Sequence, residues 1–260
     1  MMDFSGYRGL RGLLLLALLT PPGWVLADDN TPSYDRPGYG FAPDALPRGG
    51  FAYEQGLPTW TLDHDDGIRS SQYTTDSLLR LGLGGHLELQ LGGSPFNRLS
   101  QRGMGMSEVD HGHGDSSLGL KLGLPSSDEN WSWGLLGTIE FTDGAQAIGN
   151  DRRQYTLGLT VQQQVDEKHQ WSYFAQAQQM GGQSSFFGAA DYTYQFSQAW
   201  GVYGEAAVEH DDARNGMQVG NGFTWSPNPR LQFDAWWRRK VAGHANDWEA
   251  GLGVAMYFGR

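Results

Sequence analysis

From residue 51 to the end of the chain, apolar residues alternate with polar residues or glycine. Between residues 73 and 83, Leu79, Leu81 and Leu83 share one face of an extended strand, while Arg80 and Gly82 share the other. One face suits lipid and the other suits water. Each segment has about ten residues, the length with which a tilted strand crosses a membrane. The pattern therefore predicts membrane-spanning β-strands.

The alternation divides into about twelve segments, and an even number is expected for a single-chain bacterial barrel. We therefore predict an all-β fold, a transmembrane antiparallel β-barrel over residues 51–260. The mean hydropathy of −0.49 is compatible with this fold because lumen-facing residues offset lipid-facing ones. The segments are residues 51–62, 73–83, 86–92, 116–124, 131–141, 155–165, 171–179, 186–196, 200–210, 217–225, 231–239 and 248–258.

The N-terminal residues have the pattern of a signal peptide. Arg8 and Arg11 precede an apolar run over residues 13–19, and Ala27 provides a small residue for cleavage. The run is too short to cross a bilayer as a helix, which needs about 20 residues. We predict that residues 1–27 are a cleaved signal peptide and that residues 28–50, which lack any period, form an irregular segment in the periplasm or a plug in the barrel.

The composition excludes several classes of binding site and partner. The chain has no cysteine, which excludes disulfides and thiolate metal sites, and its net charge of −11 argues against nucleic acid. A soluble β-sandwich or lipocalin-like barrel also alternates, but it rarely repeats strands of this length with aromatic residues at both ends. We expect a location in the bacterial outer membrane, with its lipids and lipopolysaccharide as neighbours and the barrel-assembly machinery as a partner in insertion.

The connections differ in length, which indicates the orientation of the barrel. Short connections are typical of the periplasmic end, and longer, charged ones are typical of the outer end. The predicted periplasmic turns are residues 84–85, 125–130, 166–168, 197–199 and 226–229. The predicted outer loops are residues 63–70, 95–114, 143–153, 211–216 and 241–246.

The inner face of the predicted strands carries charged and amide side chains of both signs. Ion pairs among them can offset burial, so they either line a pore and set its selectivity or fill the barrel as a packed core. A twelve-stranded barrel lies between filled eight-stranded barrels and open sixteen-stranded porins, which favours a narrow pore. The predicted lumen residues are Asp76, Arg80, Glu88, Gln90, Lys121, Glu140, Asp191, Glu205, Asp234, Arg238 and Glu249.

Two outer-loop patterns suggest other chemistry. His111 and His113 lie between Asp110 and Asp115, a spacing that can chelate a divalent metal but is more typical of a solvated outer loop. We therefore predict neither a resident metal nor a cofactor. Acidic outer loops can also bridge divalent cations to lipopolysaccharide phosphates.

A second class of function is an outer-membrane lipid hydrolase, which requires a serine and a histidine at one rim. The serine candidates are Ser71, Ser94 and Ser116, and the histidine candidates are His64, His111, His210 and His244. No nucleophile turn or fixed third partner accompanies them in the sequence, so we expect no enzymatic activity.

Several segments resemble a known family. Residues 50–56 (GFAYEQG), 92–97 (GGSPFN), 114–121 (GDSSLGLK) and 247–258 are similar to outer-membrane proteins assigned as transporters of the meta-pathway of phenol degradation. The likeness covers most of the chain. It implies a β-barrel acting as a diffusion channel for small, often hydrophobic or aromatic molecules, and it implies no catalytic residue.

The sequence thus predicts a passive, selective channel driven by the solute gradient alone. The alternatives are the lipid hydrolase and a structural barrel with a filled lumen. An open interior distinguishes the channel from the filled barrel.

Overall fold

The computed structural model describes residues 33–211 and 214–259, and the regular elements in these ranges are all β-strands. Within them, no helix is long and apolar enough to span a bilayer. The predicted signal peptide, residues 1–27, lies outside the described ranges, as do residues 28–32 of the predicted irregular segment. Residues 33–50 contain no strand.

The strands alternate in direction along the chain, as expected for an antiparallel sheet. They are β1 (Phe51–Asp65), β2 (Ile68–Gly84), β3 (Leu87–Gly103), β4 (Met106–Gly112), β5 (Ser117–Leu124), β6 (Trp131–Glu140), β7 (Gln154–Gln164), β8 (His169–Met180), β9 (Gln183–Gln195), β10 (Trp200–Asp211), β11 (Arg214–Asn228), β12 (Leu231–Gly243) and β13 (Trp248–Phe258).

The sheet closes on itself. The first strand pairs with the last, in a register that sets Phe51 opposite Phe258, and β2 pairs with both β1 and β3. Two strands share one position, because the first half of β3 pairs with β5 and its second half pairs with β4. The thirteen strands of the described residues therefore form a closed barrel with twelve positions around its circumference, which confirms the predicted count.

The outer face is apolar, as the alternation predicts. Leu79, Leu120 and Leu157 are 37%, 50% and 60% exposed and lie on the face directed away from the lumen. Aromatic side chains cluster on this face, and beside the link between β9 and β10 Trp200 stacks on Trp225 with ring centroids 5.6 Å apart. An apolar band bordered by aromatic residues is the surface that a lipid bilayer requires.

The predicted periplasmic turns lie together at one end of the barrel, which we call the turn end, and Phe51 and Phe258 lie there too. One prediction is off by one residue. The turn between β2 and β3 is formed by Gly85 and His86, with φ of 62° and 67°, and Gly84 pairs with Leu87. Two consecutive positive φ values are the geometry of a type I′ hairpin turn.

The prediction of a long outer loop over residues 95–114 was wrong. β3 continues through it to Gly103, and β4 returns over Met106–Gly112. Strands also extend into the predicted loops 63–70, 211–216 and 241–246, whereas residues 141–153 are irregular. An antiparallel hairpin that does not contact lipid needs no apolar face, so these segments pair as strands without the apolar alternation on which the prediction depended.

Two irregularities in the wall lie on either side of Asp76. The pairing of β1 with β2 shifts at Leu57 and Pro58, and that of β2 with β3 shifts at Ser94 and Pro95. Proline has no N–H to donate to a ladder, and bulges redirect nearby side chains. Asp76 consequently pairs in neither ladder.

Candidate functional site

Residues 33–50, which we call the inner segment, run along the inside of the barrel wall. Ser33 lies against β2, Arg36 against β12 and β13, and Tyr39 against β9, β11 and β12. The segment then passes β7 and β8 at Phe41 and returns to β2 at Pro47. It therefore makes one circuit of the lumen before β1 begins.

A buried ion-pair cluster joins the inner segment to the wall. Arg80, with no exposed surface, donates to Glu88 at 2.8 and 3.0 Å and to Glu54 at 2.8 Å. The inner segment contributes Asp35, whose Oδ1 lies 3.2 Å from Arg80 and 3.0 Å from Lys121 Nζ. Each buried charge thus has an opposite charge beside it, which offsets the cost of removing it from water.

The backbone of the inner segment takes part in the same cluster. The amide nitrogens of Asp35 and Arg36 donate to the Glu54 carboxylate at 2.9 and 2.8 Å. The amide of Leu46 donates to Glu88 at 2.8 Å. A segment without secondary structure leaves its backbone groups unpaired, and the barrel carboxylates satisfy three of them.

A second set of contacts holds the opposite side of the inner segment. Arg36 donates to the carboxylate of Asp234 at 3.1 and 3.3 Å. The Tyr39 ring lies 3.5 Å from the Arg238 guanidinium, and its hydroxyl donates to Gln218 at 2.7 Å. Arg238 also donates to Glu205 at 2.7 Å. Cation–π and charge-assisted contacts therefore fix the position of this ring.

Glycines of the wall make room for the inner segment. A Cβ built on Gly82 would lie 2.0 Å from the Pro47 carbonyl oxygen, and one on Gly134 would lie 2.7 Å from Pro43 Cα. Only glycine permits the two backbones to approach this closely.

Beyond the inner segment, on the side of residues 141–153, the lumen contains a cavity of about 320 Å³ that we call the outer chamber. Polar groups line most of it, and Asp76 is exposed within it. Its lining residues are Gln72, Thr74, Asp76, Ser77, Gly93, Ser94, Asn97, Gly114, Asp115, Ser117, Glu140, Ile148 and Asn150.

A second cavity of about 210 Å³ adjoins the outer chamber, because Glu140 lines both. Its other walls combine apolar groups, including Phe41 of the inner segment and Leu136, with the amides of Gln154 and Gln176. A solute with an apolar body and a polar group fits this lining. A cavity of about 150 Å³ is enough for a benzene molecule.

Residues 141–153 fold over the outer chamber through hydrogen bonds to the link between β4 and β5. Asp115 accepts from the backbone of Gly144 and Asn150 at 2.7 and 2.5 Å, and the Asn150 amide donates to Glu140 at 2.6 Å. Ser116 donates to Asp143 through its backbone and its hydroxyl, and these two bonds lower the pKa of the Asp143 carboxyl. Hydrogen bonds to two carboxylates, Asp115 and Asp143, therefore hold this loop against the link between β4 and β5.

The predicted lumen residues fall into separate groups. Arg80, Glu88, Gln90 and Lys121 meet in the buried cluster with Asp35. Glu205, Arg238 and Glu249 form the second set, and Asp234 binds Arg36. Asp76 and Glu140 lie in the outer chamber, and Asp191 lies on the inner face of β9 opposite Glu205.

Sequence reasoning missed four residues of the site. Glu54 is 1% exposed and follows the alternation of β1, so its parity would have identified it. Asp35, Arg36 and Tyr39 lie in the segment without a period, where no pattern assigns their contacts.

The histidine candidates are not assembled into a site. The His111 ring packs near Phe96 at 6.2 Å, whereas His113 Nδ1 lies 3.2 Å from the Gly114 carbonyl oxygen. In residues 33–211 and 214–259, no group of three histidine or acidic side chains has metal-binding geometry.

The serine candidates have other partners. Ser71 accepts from Trp60, Ser94 accepts from Asn97, and Ser116 donates to Asp143. Across the described part of the chain, none of these three serines is hydrogen-bonded to a histidine.

The fold is shared with solved structures. The COG4313 outer membrane channel from Pseudomonas putida F1 has a TM-score of 0.65 at 15% identity, covering 86% of this chain and 99% of that one. The KdgM porin has a TM-score of 0.52 at 10% identity, covering 81% and 99%. The transport unit of the autotransporter AIDA-I from Escherichia coli has a TM-score of 0.52 at 10% identity, covering 81% and 90%. At these identities the likeness establishes the fold, that of a bacterial outer-membrane barrel.

No curated protein matches the chain in sequence. The family model described as "MetA-pathway of phenol degradation" matches residues 34–258, which is most of the chain and includes nearly all of the inner segment. The chain belongs to this family.

Proposed function

We propose that the chain is an outer-membrane channel for passive, selective diffusion of small molecules. The observation that carries the proposal is the outer chamber, a polar cavity inside a closed barrel, together with the adjoining cavity that reaches the inner segment. A purely structural barrel would need its lumen filled by packed side chains. A channel needs no energy-coupling group, because the solute gradient drives it.

The inner segment acts as a constriction that remains in place during conduction. The Asp35 carboxylate pairs with Arg80 and Lys121, and the Leu46 amide donates to Glu88, so departure of the segment would leave these buried charges with fewer partners. The solute path then passes beside the segment through the cavity bounded by Phe41. We extend this role to residues 28–50 as a plug that narrows the pore without closing it.

The lumen residues predicted from the sequence divide between two roles. Those in the ion-pair clusters hold the inner segment, whereas Asp76 and Glu140 face the path and set selectivity. Small aromatic or amphipathic solutes match the second cavity, whose walls join Phe41 and Leu136 to glutamine amides.

Single-channel recording of the refolded full chain in planar bilayers tests the proposal. Discrete, steady conductance steps are expected. A barrel that inserts and never conducts would overturn the channel and favour the filled structural barrel.

The chain has no cysteine, so one engineered disulfide can test whether the inner segment moves. A Cβ at Gly40 would lie 3.3 Å from the Phe174 Cβ, near disulfide range. The variant Gly40→Cys/Phe174→Cys should conduct equally when oxidised and when reduced. If oxidation abolishes conductance, the segment has to leave for the channel to open.

We further propose that the chain performs no catalysis, that the barrel-assembly machinery inserts it, and that its outer rim binds lipopolysaccharide through divalent cations. The exposed carboxylates of Asp65 and Asp66 in the hairpin between β1 and β2 support the last point. Tighter association with lipopolysaccharide in the presence of magnesium, reduced in Asp65→Asn/Asp66→Asn, would test it.

A further inference from the structure

The outer chamber has an excess of negative charge. Three of its lining residues are the carboxylates Asp76, Asp115 and Glu140, and none of its thirteen lining residues is basic. Asp115 and Glu140 accept hydrogen bonds only from neutral backbone or amide groups, which leaves their charge uncompensated. Within the described part of the chain, none of the three takes part in an ion pair.

The bases that face the lumen are already occupied. Arg80 and Lys121 are held by Asp35, Glu54 and Glu88. Arg238 is held by Glu205 at 2.7 Å. The positive charge of Arg36 acts on Asp76, but Arg36 is itself bound to Asp234 at 3.1 Å. The cations of the lumen therefore do not neutralise the outer chamber.

The two most relevant carboxylates lie on the path of a solute. Asp76 projects into the chamber between two proline-containing bulges and is exposed. Glu140 borders both cavities, so a solute that moves from one to the other passes it. A cleft with charges of one sign and low-dielectric walls concentrates ions of the opposite sign.

We infer that the outer chamber selects small organic cations, namely protonated or quaternary amines with a compact apolar body, over anions of the same size. The inference rests on the proposed channel function and adds the charge class of its solutes. The amine meets Glu140, while the apolar body meets Phe41 and Leu136 in the second cavity.

The test is the reversal potential of the full-length channel in planar bilayers under a salt gradient. Potassium chloride gives the ratio of cation to anion permeability. Benzyltrimethylammonium chloride and sodium benzenesulfonate then present an aromatic ring with a permanent positive or negative charge. The unmodified channel should favour potassium over chloride and benzyltrimethylammonium over benzenesulfonate.

Neutralising Asp76 and Glu140 should remove this preference. At about 6 Å in water-like surroundings, one carboxylate changes the local abundance of a monovalent cation about threefold. We therefore expect Asp76→Asn and Glu140→Gln each to lower the cation-to-anion ratio about threefold, and the double variant to lower it about tenfold.

The matched control is Glu129→Gln/Glu167→Gln, which removes two exposed carboxylates from turns at the other end of the barrel. It should leave the ratio unchanged. Asp76 pairs in neither ladder, so the single variant Asp76→Asn should keep the strand pairing of the barrel wall. It therefore still tests the inference if the double variant fails to fold.

A channel with discrete steps but no preference between cations and anions would overturn the inference and leave the proposed function intact. So would a preference that survives in the double variant or is lost equally in the control. Absence of any conductance step would overturn both proposals.

Discussion

The inner segment and the outer chamber share one lumen, but their charged groups are arranged in opposite ways. Around the inner segment, Arg80 and Lys121 are buried and every neighbouring carboxylate has a basic partner. Around the outer chamber, Asp76 and Glu140 face a cavity without a basic partner. Burial requires compensation, whereas a water-filled chamber tolerates net charge. Stability and selectivity are therefore expected to depend on different residues.

The largest effect on stability is expected for Arg80→Met, in the buried ion-pair cluster. This change leaves Asp35, Glu54 and Glu88 buried with one cation fewer, so we expect a loss of about 3–5 kcal/mol in the free energy of unfolding. Urea unfolding of the barrel in lipid vesicles measures it. The control Lys168→Ala, in an exposed turn, should have little effect. An Arg80 variant as stable as the control would show that the cluster does not hold the lumen together.

A smaller effect is expected from Gly82→Ala, which disturbs the inner segment without changing a charge. The new Cβ meets the carbonyl oxygens of Pro47 and Leu46 at 2.0 and 2.4 Å. Forced overlap of this kind costs about 1–3 kcal/mol. We expect a lower unfolding midpoint and altered conductance steps. Gly204→Ala is the matched control, because a Cβ there meets nothing within 4 Å; equal effects in both variants would contradict the close approach.

Tyr39→Phe should have a still smaller effect. It removes the hydrogen bond to Gln218 and retains the ring over Arg238, so we expect a loss of about 0.5–1.5 kcal/mol. Tyr155→Phe, on the lipid face, provides the comparison. Equal unfolding midpoints for the two variants would mean that the hydroxyl of Tyr39 contributes nothing to holding the segment.

The smallest effect is expected at Asp143, in the loop that folds over the outer chamber. The pKa of the Asp143 carboxyl is lower in the folded protein than its ordinary value. The stabilisation from the hydrogen bonds that Ser116 donates to this carboxylate is therefore fully present above the ordinary carboxyl pKa, and it is lost as the pH falls through the folded-state pKa. We expect Asp143→Ala to speed amide hydrogen exchange at Ser116 at neutral pH and to match the unmodified protein in acid. Asp151→Ala, in the same loop, serves as control. A difference that persists in acid would exclude a charge-dependent hold.

The barrel could be predicted from the sequence because lipid imposes a strict alternation on each strand that crosses it. That alternation gave the twelve positions and assigned Arg80 and Lys121 to the inner face. It failed in the hairpin of β3 and β4, whose strands carry charged residues such as Arg98 and Glu108 in place of the apolar alternation.

The site was less accessible to sequence reasoning for a physical reason. Arg36 and Asp234 bind each other across 198 residues, and the inner segment has no period to indicate where its side chains point. The structure shows Asp35 beside Arg80 and Lys121, so the lumen cations are neutralised there and not in the outer chamber. The sequence alone does not reveal this difference.

The most informative measurement is the single-channel conductance of the refolded barrel with residues 28–50 present and deleted. Deletion should increase the conductance several-fold, because it removes the proposed constriction from the lumen. The preference for cations should persist, since Asp76 and Glu140 remain in the outer chamber. A folded, inserted barrel whose conductance is unchanged by the deletion would contradict the central claim that the inner segment limits the path.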